Sequence, residues 1–76
     1  MQGMKVTCHK INSGYGTDYG HIECEVVEVV SLDGVPTIKV KEWVEEGAVG
    51  EWVKGHMVSY EYLAWYRNGE WVLDLD

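Results

Sequence analysis

The residues best equipped for chemistry sit early in the chain. Cys8-His9 and His21-Ile22-Glu23-Cys24 put two thiols and two imidazoles where one hairpin can fold them together. These are zinc-ligand types. Strand alternation, however, sends His9 and His21 to one face and Cys8 and Cys24 to the other, whereas a tetrahedral site needs its ligands to converge. Neither pair forms the short Cys-x-x-Cys knuckle of structural sites. The expectation is no metal and no cofactor, with Cys8 and Cys24 a buried, reduced pair facing each other across the hairpin. Oxidation of that pair would stabilise the fold by about 3 kcal/mol.

Two further segments are built for contact. Ser13-Gly14-Tyr15-Gly16-Thr17-Asp18-Tyr19-Gly20 joins glycine freedom to two large amphipathic rings and small hydrogen-bonding side chains, the chemistry of antibody binding loops. It holds neither Lys nor Arg and no phosphate-binding pattern. Tyr15, Asp18 and Tyr19 are therefore candidates for contact with a protein or a small organic ligand. The second segment mixes carboxylates with indoles: Glu42, Trp43, Glu45, Glu46, Glu51 and Trp52. Carboxylates steer association with a basic surface and a Trp anchors it. Catalysis finds less support. His9, His21 and His56 are scattered among strand residues, and no nucleophile sits in a recognisable elbow. A chain this short rarely encloses a pocket of about 300 Å³ or more. No enzymatic activity is expected.

The elements that must position these groups follow a period of two. Met4, Val6 and Cys8 alternate with polar residues, as do Ile22, Cys24 and Val26. Pairing about Gly16 sets Cys8 opposite Cys24, Val6 opposite Val26, His9 opposite Glu23 and Thr7 opposite Glu25. The alternation slips at Val26-Val27, which predicts a bulge or sharp bend. Asp33-Gly34 predicts a tight hairpin pairing Val29 with Ile38, Glu28 with Lys39 and Val27 with Val40. Asn68-Gly69 predicts another, pairing Tyr66 with Trp71, Ala64 with Leu73 and Tyr62 with Leu75, while Trp65 and Val72 share the opposite face.

The stretch 42–55 is the least regular. Glu42 to Gly47 could form one short helical turn near 42–48, but Gly47, Gly50 and Gly55 oppose a long helix. A strand end, an irregular turn and a new strand from about Val49 fit better. The triplet Glu-Trp-Val recurs at unequal spacing, which reflects strand composition rather than a repeat architecture. The sum is one all-β domain over 1–76, an antiparallel meander closing into a five-stranded SH3-like or OB-like barrel.

Composition bounds the function. A chain of 76 residues hides only about 60% of its unfolded surface on folding, so a few large side chains must supply the core. Four Trp and five Tyr, with no Phe, favour rings that are apolar at the body and polar at the tip, as binding surfaces use. A net charge of −7 repels phosphate backbones and anionic lipids, so direct nucleic-acid or membrane binding is disfavoured and a basic partner favoured. No apolar run reaches the about 18–20 residues that span a bilayer. The start, Met1-Gln2-Gly3-Met4-Lys5, lacks an apolar signal core, which with two cysteines points to the cytoplasm.

In character the chain resembles the small acidic accessory proteins of phages and mobile elements, some of which inhibit host proteins stoichiometrically. The function expected is a protein-binding inhibitor or adaptor directed at a basic, nucleic-acid-binding host protein. The alternatives are a small-ligand module closed by the Gly/Tyr loop, and an assembly subunit that adds an edge strand to a larger complex.

Overall fold

Alternating Val, Ile, Thr and aromatic residues resolve into five strands: β1 (Lys5–Asn12), β2 (Thr17–Leu32), β3 (Val35–Glu46), β4 (His56–Arg67) and β5 (Glu70–Asp74). The computed structural model describes residues 2–47 and 55–76. Among them there is no helix. Glu42–Glu46 instead complete β3, because their backbone is taken up in a ladder with Tyr60–His56. The strand start expected near Val49, and with it Glu51 and Trp52, lies outside the described residues.

Each strand is antiparallel to the next, and the ring closes through a parallel pairing of β1 with β5, from Cys8 opposite Trp71 to Ile11 opposite Asp74. That closure is forced: with five strands alternating in direction, the first and fifth run the same way. Two hairpin turns behave as their sequences demand. Asp33 (φ 52°) with Gly34 (φ 76°), and Asn68 (φ 53°) with Gly69 (φ 82°), hold both central residues in the left-handed region. This is the type I′ geometry whose twist matches the flanking strands.

The inner face collects Cys8, Cys24, Val26, Ile38, Val40, Ala64 and Leu73, all buried, with Val6, Ile22, Tyr62 and Trp71 packed against them. The predicted bulge is present: Val26 lies opposite Val40 and Glu28 opposite Lys39, leaving Val27 as the extra residue. Val29 opposite Ile38 and Glu28 opposite Lys39 follow expectation, but Val40 faces Val26 rather than Val27. Val29 is 60% exposed, since β2 has no neighbour on its other side there among the described residues. In the third hairpin Tyr66 opposes Trp71 and Trp65 opposes Val72, as expected. The ladder ends there because β5 turns to β1, so Leu73 pairs with Lys10 and Tyr62 is not matched to Leu75.

The first hairpin departs from its predicted register by two residues. Cys8 lies opposite Ile22, Val6 opposite Cys24, and His9 opposite His21. The cause is the turn, which is centred on Ser13–Gly16 rather than on Gly16. Asn12 starts it by accepting the Tyr15 N–H on both its carbonyl and its side-chain oxygen, a turn-forming habit of Asn. A slip of two preserves faces, so both cysteines stay inside as diagonal neighbours.

The molecule measures 49 × 30 × 17 Å. One source of the elongation is the far end of the β3–β4 ribbon. There Glu42–Glu46 have no β2 partner and His56–Ala64 no β5 partner among the described residues.

Candidate functional site

The ribbon end carries part of the acidic aromatic segment. Beyond Val40, odd-numbered residues of β3 face outward, which places Trp43 beside Ser59 and Glu45 beside Met57. Trp43 is 49% exposed, with the Lys41 ammonium 5.5 Å from its ring centre. Glu45 and Glu46 are exposed, and Glu46 accepts a hydrogen bond from the Tyr60 hydroxyl. Glu42 does not join this surface. As an even-numbered residue it turns inward and is buried, where its carboxylate accepts a hydrogen bond from Lys10 Nζ at 2.9 Å.

That ion pair caps the core at the end of the barrel bearing loop 13–16. The Lys10 ammonium lies 5.4 Å from the Tyr19 ring centre and 5.7 Å from that of Tyr62, so two aromatic faces share its charge with Glu42. Burial works against the charged form of Lys10, but the hydrogen bond and charge of Glu42 outweigh it and raise the pKa above the ordinary lysine value. Tyr19 thus sits over a lysine at the barrel mouth. Tyr15, at the tip of the turn, is 86% exposed and stands apart from both groups. The structure therefore splits the candidate residues into separate places rather than one surface.

The second chemical centre lies on the outer wall of the barrel, across β5, β1 and β2. His9 and His21 are direct cross-strand partners whose rings stack with centroids 4.5 Å apart. Glu70 enters from the start of β5 and bridges them: Oε2 lies 3.2 Å from His9 Nδ1, and Oε1 lies 2.9 Å from His21 Nε2. The remaining nitrogen, His9 Nε2, meets Asp18 Oδ1 at 2.8 Å.

Asp18 reaches this face because of a bulge. The ladder runs from Lys10 opposite Gly20 to Ile11 opposite Asp18, leaving Tyr19 as the extra residue. Without it, Asp18 would point inward. Bulges commonly re-aim side chains in this way. Gly20, at φ 81°, adopts a backbone conformation that a side chain would resist, and its N–H holds Asp18 Oδ1 at 2.7 Å. The two carboxylates raise the His9 pKa above its ordinary value, Asp18 more than Glu70. In return the Asp18 carboxyl is lowered, first by the Gly20 N–H and then by His9, and that of Glu70 is lowered by His21 and His9.

Among the described residues, metal-ligating capacity resides in this cluster. One ligand atom each from His9, His21 and Glu70 lie within 4.8 Å of one another. The separation of cysteines from histidines expected from alternation holds. What that reasoning lacked was Glu70, which the β1–β5 closure delivers from a distant part of the chain. Lys10 was missed in the same way, since its partner Glu42 belongs to another hairpin.

Cys8 and Cys24 are free thiols in the core. A hydrogen bond to Cys24, together with burial, pushes the Cys8 thiol well above its ordinary pKa, so it stays protonated and unreactive. Comparison with protein-family models, curated proteins and solved structures finds no match. Functional reading rests on geometry and chemistry alone.

Proposed function

We propose that the protein is a small acidic binding module that acts stoichiometrically, as an inhibitor or adaptor, on a protein partner with a basic surface. The observation that carries this reading is the far end of the β3–β4 ribbon. It presents Trp43, 49% exposed, and Met57, 57% exposed, with Glu45 and Glu61 on the same face of the ribbon. An exposed indole set among carboxylates serves as an anchor with electrostatic steering, and the net charge of −7 selects for basic partners and against nucleic acid. Of the two barrel types, the sequential ring order favours the SH3-like meander, since the OB fold is a Greek key.

Two of the hollows among the described residues border β3. One, of about 410 Å³, is lined by Gln2, Gly3, Glu25, Val26, Val27 and Lys41. The other, of about 270 Å³, is lined by Asp33, Val35, Thr37, Leu63 and Trp65. A second reading, an assembly subunit that adds an edge strand to a larger complex, is favoured by β4 from His56 to Ala64, which among the described residues pairs with β3 alone.

The test is retention of partners from a native lysate by immobilised protein at low salt, comparing wild type with Trp43→Ala and with Glu45→Lys/Glu61→Lys. The reading predicts a protein retained by wild type, lost with Trp43→Ala and weakened at least tenfold by the charge reversals. The same proteins held equally by all three would overturn it. Loss only on substituting Tyr15 would move the site to the turn.

A further inference from the structure

We infer that His9, His21 and Glu70 form a binding site for a first-row divalent transition metal of the zinc class, with Asp18 positioning His9. Three observations converge. The ligand set is correct in type: two imidazoles and one carboxylate suit zinc, cobalt or nickel, and lack the six or more oxygens that calcium or magnesium prefers.

The spacing is also correct. Donor atoms around a tetrahedral zinc stand about 3.3 Å apart. His21 Nε2 and Glu70 Oε1 are already 2.9 Å apart, His9 Nδ1 and the other carboxylate oxygen, Oε2, 3.2 Å, and one ligand atom from each of the three residues lies within 4.8 Å of the others. Both imidazoles come from directly paired residues of one ladder, and their stacked rings need only turn about their side-chain bonds for both lone pairs to meet one ion. The ion takes the place of the protons that now lie between nitrogen and carboxylate, and those protons are released on binding.

The third observation is the outer partner. A metal-bound histidine almost always donates its other ring N–H to a carboxylate or carbonyl. His9 faces Glu70 with Nδ1 and Asp18 with Nε2, which is that arrangement. It exists only because the Tyr19 bulge turns Asp18 outward and the Gly20 N–H fixes it. Three protein ligands leave the fourth position to water or to a group from a partner. Bound metal would tie β5 to β1 and β2 across the one parallel pairing in the ring.

The experiment is calorimetric titration of untagged protein with Zn²⁺, followed by Co²⁺ spectroscopy. One equivalent is expected to bind, with nitrogen–oxygen ligation and no thiolate-to-cobalt charge-transfer band. His21→Ala and Glu70→Gln, at side chains 57% and 37% exposed, should each weaken binding at least tenfold with the circular dichroism unchanged. Asp18→Asn should weaken it about tenfold and keep one-to-one stoichiometry. No binding at millimolar Zn²⁺, affinity unchanged in His21→Ala and Glu70→Gln, or a thiolate band from Cys8 and Cys24 would each overturn the assignment.

Discussion

Cys8 and His9 are adjacent in the chain, as near as two residues can be, yet they live in different solvents. On the inner face of β1 and β2, Cys8 and Cys24 are enclosed by Val26, Val40 and Leu73, and their thiols have only each other. On the outer face of the same strands, His9 and His21 stack in partial contact with water and gather Asp18 and Glu70 around them. The four side chains are all zinc-ligand types. What separates a pair enclosed by the core from one that carboxylates reach is a single step along a strand. In a barrel wall one residue thick, titratable groups become chemistry only when alternation, a bulge or strand closure gives them polar partners on the wet side.

If the inner face is structural, truncating it should cost far more than any change outside. Leu73 is fully buried where β5 meets β1. Leu73→Ala should destabilise by about 2–5 kcal/mol, the range for emptying a core leucine site, measured by urea unfolding. A loss under about 1 kcal/mol would break the comparison, because it would show that the inner layer collapses or is not the core.

Lys10 and Glu42 sharpen the contrast, being a polar pair on the inner side. Their side chains retain only 17% and 12% exposure. Glu42→Gln should cost about 2–3 kcal/mol, somewhat under the 3–5 kcal/mol of a fully enclosed pair, by stranding the lysine charge between Tyr19 and Tyr62. Replacing both, as Lys10→Met/Glu42→Leu, should recover most of that loss, since apolar pairs of similar volume often substitute well. A double variant no better than the single would mean that Lys10 contributes through its stem and not its charge.

These two residues also mark how far the sequence could be read. Hairpins at Asp33-Gly34 and Asn68-Gly69 were legible because local turn chemistry sets register by itself. The bulge at Val27 was legible because two adjacent valines cannot both follow an alternation. The register of β1 with β2 was not, since it depends on Asn12 starting the turn and on a second bulge at Tyr19, where alternation gives no sign of a slip. Asp18 read as a loop residue for the same reason. Glu42 read as a surface acid because nothing local says that Lys10, 32 residues earlier, waits inside. Glu70 directly follows the Asn68-Gly69 turn, but its partners come through the parallel closure, a contact between distant parts of the chain that no local pattern reports.

The smallest effect tests the outer face alone. Asp74 lies at the end of β5, and its Oδ1 accepts the backbone N–H of Ser13 and of Asp76, each at 3.0 Å. A hydrogen bond from the Ser13 side chain, and after it these two backbone bonds, lower its pKa below the ordinary aspartate value. A carboxyl whose pKa is lower folded than unfolded contributes stability above its ordinary pKa, and the contribution is lost as pH falls through the depressed folded value. Asp74→Asn keeps an acceptor oxygen but cannot ionise. Wild type should therefore melt slightly higher than Asp74→Asn at neutral pH, and the gap should close as pH drops towards about 3. Melting curves by circular dichroism across that range, at low and high salt, would read it. A gap that stays constant with pH would mean that the carboxylate acts by shape rather than charge. The anchoring of the first turn to the chain end would then be a matter of packing, as on the inner face.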